Sequence, residues 1–583
     1  LFPAGRSAVG KTPRNCMQAA LLGTVLLTGC NPTPEGESPV SQETTPQPPV
    51  AKVENVTDTH WGVKVDDPYR YMENIEDPYV REWFEGQAAY ADSVLENLPR
   101  REEILDRLQE LAQGAPYSTS GVKQLANGDV FYLRREAGGN LSRLFVDPAG
   151  EALPRMLVDP ETLGEEGDQH YSLAAYQPSW SGEYIVYGVA QGGSEETTYH
   201  VLDLNTGETV DAPITNIETA YNRPHWTDDN KGFYYSKRRD LPEDAPATEI
   251  YKETAVYYHE VGTDPSTDKL VAQFGRSDRL LLLDTDFPSV VLTPGSEFAV
   301  LKVKHGDNNE ISLYSAPADT LKDDDTPWSL ICTEADLVKD FAVVGNDIYL
   351  MTAKDAPRFR LVRTSLADPG FAGAEEVIPA SELVLDQLAS ARDALYLEVK
   401  RDGINQAVRL VPGEKPQTLQ APRGGAAYLS AISPAVDGLR VFETTWIQGG
   451  VRYQYDPASN RFTDDGLIPR GEFDAMEGFV AKEVLVTSHD GVKVPLSILH
   501  RADLKLDGSN PAIVYGYGSY SISMDVVFSP IRMAWLEQGG VYAIAHVRGG
   551  GEYGLEWHYA GRMQTTPNTW LDLIASAEYL AEN

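Results

Sequence analysis

Cysteine is almost absent: three occur in 583 residues, with Cys16 and Cys30 near the start and Cys332 alone in the body. That distribution excludes an intrachain disulfide framework and makes Cys332 a small buried apolar side chain. Basic residues are also scarce, 49 Lys and Arg against 87 Asp and Glu, for a formal charge of -38. Affinity for phosphate backbones comes mainly from clustered Lys and Arg, so a nucleic-acid partner is set aside and the acidity reads as a solubilising surface. None of the ten histidines stands in a His-x-x-x-His pair and no two cysteines have ligand spacing, so neither a metal site nor a cofactor is expected. The apolar run 19–27 is too short to span a bilayer as a helix.

What the first residues do have is the layout of an export signal. Arg6, Lys11 and Arg14 precede the run, which ends in Leu27-Thr28-Gly29-Cys30 and resembles a bacterial lipobox. Residues 1–30 read as a lipoprotein-type signal peptide with Cys30 as the lipidated residue. Residues 31–55 are rich in Pro, Glu, Ser and Thr, too poor in apolar side chains to offset their ordering entropy, and read as a disordered tether. The folded body is then expected outside the cytoplasm, on the periplasmic side, lipid-anchored to a bacterial membrane.

The length exceeds what one hydrophobic core supports, and 30 Tyr, 9 Trp and 49 Gly lean towards strands joined by tight turns. Residues 56–112 carry Asp67-Pro68-Tyr69-Arg70 and then helical periodicity, for instance Ile104-Leu105-Asp106-Arg107-Leu108, which predicts a helical lead-in. Between 113 and 465 short apolar runs bounded by Gly, Asp or Asn recur: Val130-Phe131-Tyr132-Leu133, Tyr184-Ile185-Val186-Tyr187, Gly232-Phe233-Tyr234-Tyr235, Phe298-Ala299-Val300-Leu301, Ile348-Tyr349-Leu350, Leu395-Tyr396-Leu397. Trp180-Ser181-Gly182 and Trp226-Thr227-Asp228 stand 46 residues apart, a spacing that suits a four-stranded propeller blade. At roughly 50 residues per blade this region holds about seven, with two stacked β-sandwiches as the alternative. From 466 to 583 strands alternate with helices, which predicts an α/β sheet.

Two glycine-rich loops follow strands of that sheet, Tyr515-Gly516-Tyr517-Gly518-Ser519-Tyr520 and Arg548-Gly549-Gly550-Gly551-Glu552-Tyr553-Gly554. Open α/β sheets place their sites at such strand ends, and neither loop has the Gly-Lys-Ser/Thr of a phosphate loop. Arg548 is expected to anchor its loop through a carboxylate, since a rigid guanidinium fork fixes glycine-rich backbone well.

With Asp67-Pro68-Tyr69-Arg70, Ser488-His489-Asp490-Gly491 and Lys505-Leu506-Asp507-Gly508, these loops occur in an order that resembles the prolyl oligopeptidase family of serine peptidases. The resemblance implies a seven-bladed β-propeller that admits short peptides, set on an α/β-hydrolase domain to which the 56–112 segment belongs, acting as a monomer. It implies that Tyr517 supplies an oxyanion-hole hydroxyl, and that Tyr520 lines the substrate pocket where prolyl oligopeptidases usually carry Phe. The Gly-Ser-Tyr wording at 518–520 is similar to the oligopeptidase B branch, which cuts after Lys or Arg, whereas Trp557-His558 reads like the prolyl branch. His558 is expected to be structural, and Asp572 to face a neighbouring loop or solvent. The family's nucleophile stands in a Gly-x-Ser-x-Gly turn, and no serine of this sequence does. The 583 residues are therefore expected to hold an incomplete hydrolase domain without its Ser, Asp and His triad, inactive alone but part of a peptidase cutting after proline. The alternative from another class is a lipid-tethered propeller that only binds.

Overall fold

The computed structural model describes residues 47–150, 153–164, 170–242, 245–401 and 403–583. Residues 1–46, on which the readings of a signal peptide, a lipidated Cys30 and most of the tether fall, lie outside the described residues. The chain divides into two compact units, 1–107 and 108–583, and no helix among the described residues is long and apolar enough to cross a membrane.

The first unit departs from the expected helical lead-in at its start. Val56–His60 and Val63–Asp67 pair as an antiparallel hairpin, closed by Trp61 and Gly62 at φ 50° and 84°. Two successive left-handed residues make the kind of turn whose twist matches paired strands. Arg70 ties the Asp-Pro-Tyr-Arg motif to this hairpin, with Nε 2.8 Å from Asp67 and Nη2 2.5 Å from Asp58. Helix α1 (Pro78–Glu96) then starts with Pro at its first position and Asp77 accepting from the Tyr79 N–H at 2.8 Å, and α2 (Arg101–Ala112) follows. The tether also ends earlier than its composition suggests. The Pro49 carbonyl accepts from Trp83 and Gln87, Lys52 N–H donates to the Tyr79 hydroxyl at 3.0 Å, and Glu54 N–H donates to Pro68 O at 3.0 Å. Backbone groups, which composition does not reveal, supply these contacts.

In the second unit seven antiparallel blades span 117–158, 171–217, 225–272, 286–332, 338–378, 384–418 and 426–464. Blades 2 and 3 are joined into one sheet by the pairing of Ile217 with Lys237. The expected propeller is there, and stacked sandwiches are not. Each pair of neighbouring blades shares an apolar layer, such as Tyr234 and Val256 of blade 3 against Val290 and Leu301 of blade 4. Because each blade is covered on both faces, its second strand is buried nearly throughout, as in Tyr184–Gln191 and Leu395–Arg401. The repeated tryptophans stitch blades 2 and 3, Trp180 Nε1 donating to Trp226 O at 3.3 Å and Trp226 Nε1 to Gln177 O at 3.1 Å. Among the described residues no strand pairing joins blades 7 and 1. The ring closes there on Val122, Val130, Tyr132 and Leu467, with Arg452 Nη2 3.0 Å from Thr119 Oγ1. Cys332 is buried as expected, and burial pushes its thiol up to about 12.

One polar cluster stands inside blade 3. His259 is fully buried between Asp268 at 2.8 Å and Asp211 at 3.2 Å. Burial opposes its protonation, but the hydrogen bonds and charges of Asp268 and Asp211 outweigh that and raise its pKa above the ordinary value. A raised folded-state pKa gives stability that is complete below the unfolded value of about 6.5 and is lost as pH climbs through the folded value. His259→Gln is therefore expected to destabilise the second unit by about 2 kcal/mol at pH 6. Denaturant melts of both proteins at pH 6 and pH 9 check this, since the gap between them should narrow at pH 9.

The remainder forms a four-stranded sheet in the order Phe479–Thr487, Lys493–Arg501, Val541–Ala545, Ala512–Tyr515. The last two are parallel, linked through helix α3 (Pro530–Glu537). Alternation sorts the faces: Leu499 and Ile544 pack with Met533 and Leu536 of α3. Leu496, Ala543 and Ala545 pack with Leu573 and Leu580 of helix α4 (Pro567–Glu582). This part is docked on the propeller. Tyr428 of blade 7 donates to Val526 O at 2.9 Å, and Leu555 N–H donates to Pro357 O at 2.7 Å. Lys400 of blade 6 lies 3.5 Å from Asp525.

Candidate functional site

The two glycine-rich loops leave the adjacent parallel strands Ala512–Tyr515 and Val541–Ala545 side by side, and their glycines allow that contact. Gly549 is at φ 99°, and a Cβ there would stand 2.0 Å from Gly518 O; one on Gly518, at φ 66°, would stand 2.4 Å from Thr569 Cγ2. Only glycine satisfies both the left-handed backbone and the close approach.

Arg548 fixes the second loop. Its backbone N–H, Nε and Nη2 donate to Asp572 at 3.0, 2.9 and 2.6 Å, and Nη1 donates to Asp490 at 2.6 Å. Asp572 also accepts from Ser488 Oγ at 2.6 Å. Hydrogen bonding to Asp572, then to Asp490, raises the Arg548 pKa, and Arg548 in turn lowers that of Asp490. Asp572 on α4 is fully buried and faces the neighbouring Arg548 loop, the first of the two expected placements, and not solvent. Nothing in its sequence neighbourhood marks it as a partner, since it stands 24 residues from Arg548. His558 is buried with Nδ1 3.0 Å from Ser521 N and 2.8 Å from Gly549 O, and so bridges the two loops as a structural side chain.

Tyr517 and Tyr520 are both exposed, at 42% and 53%. Among the described residues neither hydroxyl has a hydrogen-bond partner, so the Tyr517 O–H is unspent. Tyr520 is held at φ 54°, and its carbonyl accepts from Asn309 Nδ2 of blade 4 at 3.2 Å. Ser519 and Tyr520 form one wall of a cavity of about 250 Å3. Asp307, Asn308 and Asn309 of a blade 4 hairpin line it too, with Arg562, Met563 and Thr566 before and at the start of α4. Sequence reasoning did not identify these propeller residues, because strand patterning gives no sign of which hairpin tip faces the hydrolase loops. No group of His, Cys, Asp or Glu among the described residues could hold a metal ion.

A propeller docked on the strand ends of an α/β-hydrolase sheet, with an accessible cavity between them, defines the class of propeller-capped hydrolases. The family description "Prolyl oligopeptidase, N-terminal beta-propeller domain" matches residues 48–463, and "Prolyl oligopeptidase family" matches residues 526–583. The chain belongs to the prolyl oligopeptidase family of serine peptidases. It is similar to a prolyl endopeptidase of Elizabethkingia meningoseptica, 27% identical over 539 residues that cover 92% of this chain and 73% of that protein. It is also similar to prolyl oligopeptidase A of Galerina marginata, 26% identical over 557 residues, covering 89% and 73% respectively. A solved structure from a study of two prolyl endopeptidases superposes with a TM-score of 0.81 at 28% identity, covering 92% of this chain and 76% of that one.

Proposed function

We propose that this protein is an oligopeptidase that hydrolyses short peptides on the carboxyl side of proline through an acyl-serine intermediate. The observation that carries the reading is the cavity shared by Tyr520 and blade 4, with the unspent hydroxyl of Tyr517 two residues before Ser519 on the same loop. In this mechanism Tyr517 donates to the oxyanion that develops on the scissile carbonyl, beside a backbone N–H next to the nucleophile. Tyr520 presents an aromatic wall to the proline ring. Arg548, locked on Asp572 and Asp490, keeps the neighbouring backbone from collapsing into the site. The propeller side of the cavity limits the substrate to chains that fit between the two domains. Cys30 would carry the lipid that holds the enzyme on the periplasmic side of a bacterial membrane.

The 583 residues contain no Gly-x-Ser-x-Gly turn, so on their own they bind peptides without forming an acyl-enzyme. Incubating this chain with a serine-directed fluorophosphonate is expected to leave it unlabelled by mass spectrometry. Stoichiometric labelling would overturn the assignment of the nucleophile to a segment outside these residues.

A further inference from the structure

The loop that carries Tyr517 and Tyr520 continues into a turn that its residue types disfavour. Tyr520 and Ser521 stand at φ 54° and 58°, the only adjacent pair of non-glycine residues at positive φ among the described residues. The Ile522 N–H donates to Ser519 O at 3.0 Å, so the two are the central residues of a tight turn. Positive φ at both central positions is the signature of a type I′ turn, which prefers Asn-Gly or Asp-Gly there. In the left-handed region Cβ crowds the following carbonyl oxygen, and a bulky residue held there is an outlier that surrounding contacts must fix. Met563, which lines the same cavity, is at φ 52°, and such strained residues cluster where a fold positions a ligand.

The peptide unit between Tyr520 and Ser521 is held from both sides. Its N–H donates to Gly549 O at 3.2 Å, with His558 Nδ1 3.0 Å away. Its carbonyl accepts from Asn309 Nδ2 of blade 4 at 3.2 Å. A Cβ on Gly551 would stand 2.3 Å from Ser521 O, so glycine there lets the turn sit against the second loop. Asn309 belongs to a well-anchored hairpin between the strands Phe298–His305 and Ile311–Pro317. Asn308 N–H donates to His305 O at 3.1 Å, its Nδ2 donates to Glu334 Oε1 at 2.6 Å, and its carbonyl accepts from Lys304 Nζ. His305 lies between Asp286 and Ser312, each 2.8 Å from one of its ring nitrogens, and the Tyr221 hydroxyl donates to Asp307.

Rotating that one peptide unit converts the turn to type II′, in which the second central residue returns to negative φ. Ser521 is then unstrained, while Tyr520 keeps its positive φ. In exchange the turn loses both hydrogen bonds to the peptide unit. Left-handed backbone at one non-glycine residue costs about as much as one net hydrogen bond contributes. The two forms are therefore close in free energy, and a single contact from the propeller is large enough to choose between them. The choice reaches the cavity, because Ser519, Tyr520 and Asn309 all line it.

We propose that Asn309 is a positioning residue for the substrate cavity: its side-chain amide selects the type I′ form of the Ser519–Ile522 turn, and with it the placement of Tyr520 beside the bound peptide. The part played by the peptide rests on the peptidase reading, while the turn and the hydrogen bond that selects it do not. Substrate binds the selected form, so losing Asn309 lowers apparent affinity by the fraction of molecules left in that form and leaves turnover of the bound complex unchanged. Glycine at position 521 removes the cost of positive φ and so replaces what Asn309 supplies.

The test has one arm that needs no activity and one that does. In the 583-residue chain, amide hydrogen exchange at Ser521 and Ile522 is read by mass spectrometry and corrected for intrinsic rates. Asn309→Ala should raise it about tenfold, the worth of one net hydrogen bond, and Asn309→Asp, which keeps the shape and loses the donor, should do the same. Adding Ser521→Gly to either variant should bring exchange back to within about twofold of the native rate. In the whole reading frame that contains these residues, the same variants are assayed on an acyl-Gly-Pro amide. Asn309→Ala should raise KM by about threefold or more, up to the roughly tenfold that the same equilibrium allows, with kcat within about twofold, and Ser521→Gly should restore KM. Exchange that responds and is rescued, in a protein that hydrolyses no proline substrate, leaves the turn assignment standing and ends the peptidase reading. If Asn309→Ala changes neither exchange nor KM, if glycine restores neither, or if kcat falls at constant KM, the proposed role is overturned.

Discussion

Asp572→Asn is expected to destabilise the second unit by about 3 kcal/mol or more, because an almost wholly buried guanidinium loses its buried carboxylate and keeps only the partly exposed Asp490. The native carboxylate accepts four hydrogen bonds, three from Arg548 and one from Ser488. An asparagine can accept on one oxygen only, and it turns an amide N–H2 towards donors that need acceptors. Asp490, the second partner of Arg548, has a side chain 36% exposed, so Asp490→Asn should cost about 1 kcal/mol or less. Denaturant unfolding of the two variants separates these cases. Replacing both members of the buried pair, Arg548→Met with Asp572→Leu, should recover much of the loss, since the cost lies in the unpaired charge more than in the missing attraction.

Tyr517→Phe is the second large effect, on catalysis alone. Its hydroxyl has no hydrogen-bond partner among the described residues and its side chain is exposed, so deleting one oxygen leaves no buried group unpaired and should move stability by less than about 0.5 kcal/mol. In the peptidase that carries the nucleophile, kcat should fall by about 10²–10³, the cost measured for removing one oxyanion donor. KM should change little, because the hydrogen bond strengthens as charge develops on the carbonyl oxygen. Single-turnover kinetics on a proline amide substrate read this directly, and a rise in KM at constant kcat would assign Tyr517 to ground-state binding instead.

The runs that sequence reasoning marked as strands are the second strands of blades 1 to 6. Residues 130–136, 184–191, 232–237, 298–305, 347–352 and 395–401 are each covered by neighbouring blades. Burial on both faces forces a continuous apolar run, which a sequence displays plainly. Outer strands such as Gln417–Thr418, exposed along their length, carry no such pattern, and the second strand of blade 7, Leu439–Thr444, interrupts its run with Arg440 and Glu443. Both of these polar residues are buried, Arg440 against Asp465 and Glu443 against the N–H groups of Arg423 and Gly425, so tertiary pairing replaced the apolar signal. The glycine-rich loops were legible because close backbone approach leaves glycine as the one residue that fits. The charge pair beneath them and the blade 4 wall of the cavity were not, since both depend on which distant segments the fold brings together.

The central claim, cleavage after proline at the Tyr517–Tyr520 loop, is tested most directly by expressing the whole reading frame that contains these residues and comparing two fluorogenic amides, acyl-Gly-Pro and acyl-Gly-Arg. The account predicts hydrolysis of the proline substrate with kcat/KM at least about a hundredfold above the arginine one, a difference a shaped apolar pocket can supply. Equal or greater cleavage after arginine, or no serine-dependent hydrolysis of either amide, would contradict it.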